Sequence, residues 1–138
     1  MRRAITLTLI VAALALASAA CGAGVGESKE IKSGKVGDMT VTLSNSDGVL
    51  RNGDADFTVT FKDSTGKPVD VGSASLYFYM PAMGSMAPMN DTATLTTTSE
   101  PGVYRAKVKI EMGGEWQARL AYEGPRGAGK GSFPVTAQ

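Results

Sequence analysis

The stretch Val103-Tyr104-Arg105-Ala106-Lys107-Val108-Lys109-Ile110-Glu111-Met112 alternates without a break. Tyr104, Ala106, Val108, Ile110 and Met112 share one side of an extended chain, and Arg105, Lys107, Lys109 and Glu111 share the other. Successive side chains of a strand point to opposite faces, so this pattern reads as a strand with one face in a core and the other in water. Just downstream, Trp116, Ala118, Leu120 and Tyr122 form a matching apolar face. Read as a hairpin, the two strands turn both faces inward only with Met112 opposite Trp116, across a three-residue connection, Gly113-Gly114-Glu115. Met112 and Trp116 are therefore expected as cross-strand neighbours on the inner face, near one end of a sandwich.

Outward from this pair the pattern repeats. Short runs at Met39–Leu43, Ala55–Phe61, Ser73–Met80, Ala93–Thr97, Trp116–Tyr122 and Ser132–Thr136 alternate or carry β-branched and aromatic residues. Turn-forming clusters separate them, among them Asn45-Ser46-Asp47-Gly48, Ser64-Thr65-Gly66-Lys67-Pro68 and Gly124-Pro125-Arg126-Gly127. No helical period appears from Val36 onward. About seven strands in roughly 100 residues suit an all-β, immunoglobulin-like sandwich over residues 36–138.

The N-terminus reads as an export signal over residues 1–20. Arg2 and Arg3 precede an uncharged run from Ile5 to Leu16, and Ala17-Ser18-Ala19-Ala20 leads directly to Cys21. The run is too short and too rich in alanine for a membrane-spanning helix. Cys21 is the only cysteine, so no internal disulfide or cysteine-based zinc site is available. A lone cysteine behind small residues resembles the bacterial lipobox, in which it carries diacylglycerol and becomes the mature N-terminus. Ser18 stands where leucine is usual, and ordinary signal-peptidase cleavage after Ala19 is the competing reading. Gly22 to Lys35 has four glycines and interspersed charge, and reads as a flexible tether. Loss of residues 1–20 leaves 12 basic against 13 acidic side chains, a balance that gives no reason to expect nucleic acid as a partner.

The chemically informative stretch is Met80-Pro-Ala-Met83-Gly-Ser-Met86-Ala-Pro-Met89, which holds four of the seven methionines at a constant spacing of three. Thioether sulfur is a soft, neutral donor that suits Cu(I), and by the same softness Ag(I). It needs no deprotonation, so a thioether site would keep its ligands in an acidic, oxidising compartment. A loop with three-residue steps would wrap several sulfurs about one ion. Met83, Met86 and Met89 have little around them to make a core and favour ligation. Met80 and Met112, both on inner faces, fit packing and ligation equally, and Met39 fits the core. Trp116 would add a cation–π contribution if its indole face met the ion. An exposed, adaptable methionine surface that docks a partner protein is the alternative.

Histidine is absent, so a tight site for Cu(II) or zinc would have to rest on carboxylates, and Asp91 is the only acid close to the methionines. No Ser-His-Asp or Cys-His set is available for nucleophilic catalysis, and the expectation is a binding protein rather than an enzyme.

Several segments in order carry a resemblance. Asn52-Gly-Asp-Ala-Asp-Phe-Thr-Val59, Asp63-Ser-Thr-Gly-Lys-Pro-Val69, Met80-Pro-Ala-Met-Gly84, Pro101-Gly-Val-Tyr104 and Met112-Gly-Gly-Glu-Trp116 resemble the YtkA-like/FixH-like periplasmic domain. The resemblance implies an immunoglobulin-like fold, export as a lipoprotein, and copper handling, heavy-metal efflux or cytochrome oxidase assembly. It implies Met80, Met83, Met112 and Trp116 as site positions. Relatives commonly carry histidine where this chain has Ser85, which leaves Met86 and Met89 as substitutes. The combined expectation is a lipid-anchored protein of the periplasm or cell surface that binds Cu(I) or Ag(I), or a metal-free module assisting assembly of an oxidase or efflux complex.

Overall fold

A computed structural model describes residues 28–138, and within them the chain is all β. The leader at 1–20, the lipid-bearing Cys21 and the first part of the tether lie outside the described residues. Eight strands follow one another: β1 (Lys29–Val36), β2 (Met39–Asn45), β3 (Gly53–Lys62), β4 (Ser73–Met80), β5 (Met89–Thr97), β6 (Val103–Ile110), β7 (Gly114–Gly124) and β8 (Gly127–Ala137). Their order in space is β1-β2-β3-β6-β5-β4-β7-β8, and every neighbouring pair is antiparallel.

The sandwich arises because β5 belongs to both layers. Its first half, Met89–Ala93, pairs with β4, and its second half, Thr94–Thr97, pairs with β6. One layer is therefore β1-β2-β3-β6 and the other β4-β7-β8, joined through β5. On the far side β1 and β8 approach closely. A side chain at Gly34 would overlap the Phe133 ring, and one at Gly131 would come within 2.7 Å of the Lys35 carbonyl. Two glycines thus permit the near-closure of the sheet, which protects its outer edges.

The predicted inner faces are buried as expected. Tyr104, Ala106, Val108 and Ile110 meet Trp116, Ala118, Leu120 and Tyr122 in one core with Leu76, Phe78 and Met80. Edge-to-face aromatic contacts tie the layers, Phe57 against Phe78 at 6.0 Å and Phe61 against Tyr122 at 5.9 Å between ring centroids.

Two expectations are corrected. The segment read as tether up to Lys35 is a strand from Lys29, paired along its length with β2 and broken by one irregularity between Glu30 and Lys32. Its apolar content is confined to Ile31 and Val36, so backbone pairing holds it where alternation gave no signal. Also, β6 and β7 do not form a hairpin. β6 pairs with β3 and β5, while β7 pairs with β4 and β8. The link Glu111-Met112-Gly113 arches from one layer to the other, so the two apolar faces look at each other across the core rather than lying side by side.

Candidate metal centre

The site grows out of β4. In Ser73–Met80 the alternation sends Leu76, Phe78 and Met80 inward, leaving Tyr77 and Tyr79 on the outer face. Pairing with β5 ends at Met80 opposite Met89. Three residues further out on each arm, Met83 and Met86 pair again, exchanging both backbone hydrogen bonds at 3.2 and 2.9 Å. Gly84 and Ser85 close the turn, and Gly84 has φ +56° while Ser85 does not enter positive φ. This is the type II′ geometry, which asks for glycine at its first central position.

The pairing uncovers a symmetry. Met80-Pro81-Ala82-Met83 on one arm reads, from the base outward, the same as Met89-Pro88-Ala87-Met86 on the other. The hairpin is a palindrome folded about its centre, and it sets methionine opposite methionine at two levels. Pro81 and Pro88 have no N–H to give to the ladder, so pairing pauses between those levels.

The two levels have opposite surroundings. Residues 81–88 are all exposed, with Met83 at 55% and Met86 at 41%. Met80 is 2% exposed within the core, and Met89 is half-buried against it. A hydrogen-bonded antiparallel pair has its Cα atoms about 5.5 Å apart and both side chains on one face, so Met83 and Met86 present two thioethers to the same side of the tip. The segment expected as a loop with three-residue steps is a two-level paired hairpin, in which the turn brings Met83 to Met86 and Met80 to Met89.

The inter-layer arch lies at the same end. The Met80 methyl would be 3.3 Å from a Cβ on Gly114, so Met80 reaches the start of β7. Trp116 Nε1 donates to the Met112 carbonyl oxygen at 3.1 Å, and Met112 is half-buried against the core. Met112 and Trp116 are thus neighbours, but through this bond and not as a cross-strand pair. Trp116 is fully buried. Its indole packs the core beneath the arch, and its N–H is committed to Met112. Met39, at the opposite end where β2 begins, is buried as expected.

Asp91 is the residue whose part sequence reasoning left open. It is buried, opposite Phe78 in the ladder, and its Oδ2 accepts a hydrogen bond of 3.0 Å from the Glu111 backbone N–H. This bond fastens the root of the hairpin to the arch. The signal was present as parity, since Met89, Asp91 and Ala93 alternate with Asn90 and Thr92. Outside the sandwich, Arg119 stacks 4.1 Å above the Tyr79 ring, another contact that the outward parity of β4 and β7 allows.

Among the described residues no group of three or more His, Cys, Asp or Glu side chains could hold a metal ion. The donors available at this end are thioethers: the exposed pair Met83 and Met86, the half-buried Met89 and Met112, and the buried Met80. Such a set fits Cu(I) or Ag(I) and is a poor match for harder ions. A surface groove lined by Ser73, Ser75, Ala121 and Lys130 touches none of these residues.

The fold and this end of it define an all-β domain that carries a methionine hairpin beside an inter-layer arch. The chain belongs to the YtkA-like family, which it matches over residues 34–121. That match includes the whole hairpin, the arch and Trp116. No curated protein and no solved structure matches the chain.

Proposed function

We propose that this chain is a membrane-tethered, extracytoplasmic binding protein for Cu(I) or Ag(I), acting in copper delivery or resistance and performing no catalysis of its own. The observation that carries this reading is the exposed Met83–Met86 pair, held on one face of an uncharged hairpin. Thioethers bind soft monovalent ions without losing protons, which suits an oxidising and acidic compartment. The arrangement of the ends supports a role near a membrane. Lys29 opens β1 beside Asn45 and Gly48, and Leu50 bridges to Ala137, which lies by Gly113 and Gly114 of the arch. The chain therefore enters the domain at the end that bears the methionines. With a lipid on Cys21, the eight residues to Lys29 would span at most roughly 30 Å, keeping the hairpin close to the bilayer.

Titration of residues 22–138, which retain every strand, with Cu(I) against a competing chelator tests the reading. Binding tighter than micromolar is expected, with loss on replacing Met83, Met86 and Met89 by leucine. Undiminished binding in that variant would overturn it. Mass spectrometry of the membrane fraction tests the anchor: a diacylglyceryl group on Cys21 is expected, and an unmodified chain beginning at Ala20 would sink it.

A second reading draws on the same exposure. The tip offers Pro81, Ala82, Met83, Met86, Ala87 and Pro88 to solvent without a charge among them. An adaptable apolar surface of this kind would dock a copper-handling, efflux or oxidase-assembly protein with no metal involved. Partner capture that survives the leucine changes, together with no metal uptake, would favour this alternative.

A further inference from the structure

We infer that a second copy of this chain completes the exposed methionine site, so that two hairpin tips share one Cu(I) or Ag(I), each supplying Met83 and Met86. The inference rests on the soft-metal reading and adds to it the identity of the missing ligands.

The tip alone is short of donors. Met83 and Met86 give two neutral thioethers, and weak neutral donors hold a monovalent soft ion firmly only when more of them converge. The other sulfurs at this end are not placed to join them. Met80 is 2% exposed on the core side of the hairpin, and Met89 and Met112 pack against that core. Asp91 is buried, with its Oδ2 bonded to the Glu111 N–H, and a carboxylate is in any case a hard donor. Ser85 is the only side chain of the tip that bears a hydroxyl, also a hard donor. Among the described residues no other soft donor is placed to join them, and a second molecule would supply the remaining ligands.

Three features of the tip select a second copy as their source. First, a twofold contact uses the same patch on both partners, so the patch has to be self-complementary. The palindromic arms carry the same side chains in the same order from the tip, so either arm of one tip can face either arm of a second. Two such tips meeting head to head bring four thioethers together. Second, no charge lies between Met80 and Asn90, so two tips approach without repulsion. Third, all of residues 81–88 are exposed, so the tip is open to contact by a second copy.

The test is sedimentation of residues 22–138 during addition of silver ions alone, chosen because Ag(I) is stable in air. A metal-free monomer is expected to double in mass, with the change complete at one silver per two chains. An excess of a small thiol should return it to monomer. Silver K-edge absorption should count four sulfurs per ion. Met83→Leu with Met86→Leu should remain monomeric throughout, and Met80→Leu should still dimerise. Silver bound by a chain that stays monomeric would overturn the shared site while leaving the soft-metal reading intact. No silver binding at all would overturn both. A dimer that forms without metal, or persists in the Met83→Leu, Met86→Leu variant, would show that the tips are not bridged by an ion.

Discussion

The two methionine pairs of the hairpin are joined by the same Pro-Ala spacer on each arm and lie in opposite environments. Met80 and Met89 sit at its root, one inside the core and the other packed on it, while Met83 and Met86 stand in solvent three residues further out. Each methionine is flanked by the same Ala-Pro spacer. Residue type therefore does not decide between packing and ligation here; position along the hairpin does. A thioether in the core acts through its volume and its many weak contacts, which are satisfied by the fold. A thioether at the tip has no packing partner, so any role it has must involve something that binds from outside.

The largest effect that would sharpen this contrast is on stability. Met80→Ala should destabilise by about 2–5 kcal/mol, because it removes a buried side chain and leaves a cavity beside the arch. Met83→Ala should shift stability by less than about 0.5 kcal/mol, as for other exposed positions. Urea unfolding midpoints of the two variants, compared at unchanged slope, measure the difference. Equal losses would mean that the tip is folded onto the body of the protein and would break the comparison.

The root is next in size. Asp91→Ala strands the Glu111 N–H in a partly buried place, at a cost of about 1–3 kcal/mol. Asp91→Asn keeps an oxygen acceptor and should cost less. Hydrogen exchange at Glu111 should quicken in the alanine variant well before global unfolding. Slow exchange there would show that Asp91 does not fasten the hairpin to the arch.

The end of the sandwich opposite the hairpin provides a control. Tyr104 donates its hydroxyl proton to the Gly72 carbonyl at 2.7 Å. Burial, with the nearby Asp70 charge adding to it, raises the Tyr104 phenol above 10.0. A raised acid favours the protonated form in the fold. Its contribution is fully present below the unfolded value and is lost as the pH climbs through the folded one. Stability should therefore fall as the pH rises past about 10, the ordinary tyrosine value. Tyr104→Phe should cost about 1 kcal/mol at neutral pH and flatten part of that alkaline fall. Soft-metal binding in this variant should be unchanged, since no methionine of the hairpin is involved.

How much of this was legible in the sequence depends on what each element relies on. β6 and β7 announced their buried faces because each places aromatic or branched residues at strict alternation, and those faces are buried in the fold. β1 was hidden because Lys29, Lys32 and Lys35 interrupt any apolar pattern; it is held by pairing with β2 and by the tolerance of Gly34 for Phe133. The link from β6 to β7 was misread as a hairpin loop because two glycines fit either a turn or an arch. Alternation specifies which side of a strand is buried, but not which layer the strand joins. The start of β5 was missed for a related reason: Asn90, Asp91 and Thr92 look like loop residues until Asp91 is seen to be satisfied inside. The methionine spacing was visible, whereas its consequence was not. A spacing of three suggests a wrapped loop, and only the pairing of Met83 with Met86 converts it into a palindromic hairpin with two unlike levels.

The smallest stability effect expected is also the sharpest test of the contrast. Replacing Met83 and Met86 by leucine keeps their bulk and apolar character and removes only sulfur. In a core, such a volume-conserving change usually costs less than about 1.5 kcal/mol. At an exposed tip it should cost less than about 0.5 kcal/mol, because almost no packing depends on it. Thermal unfolding of the metal-free double variant should therefore superimpose on that of the parent chain. Addition of Ag(I) should then separate the two curves, raising the midpoint of the parent alone, since an ion that binds only the folded state stabilises it by mass action. The same leucine change at Met80 should do the reverse, altering the metal-free curve while leaving the silver-induced rise in place. A silver effect that follows Met80 instead of the tip would move the soft-metal site into the core side of the hairpin and exchange the roles assigned to the two pairs.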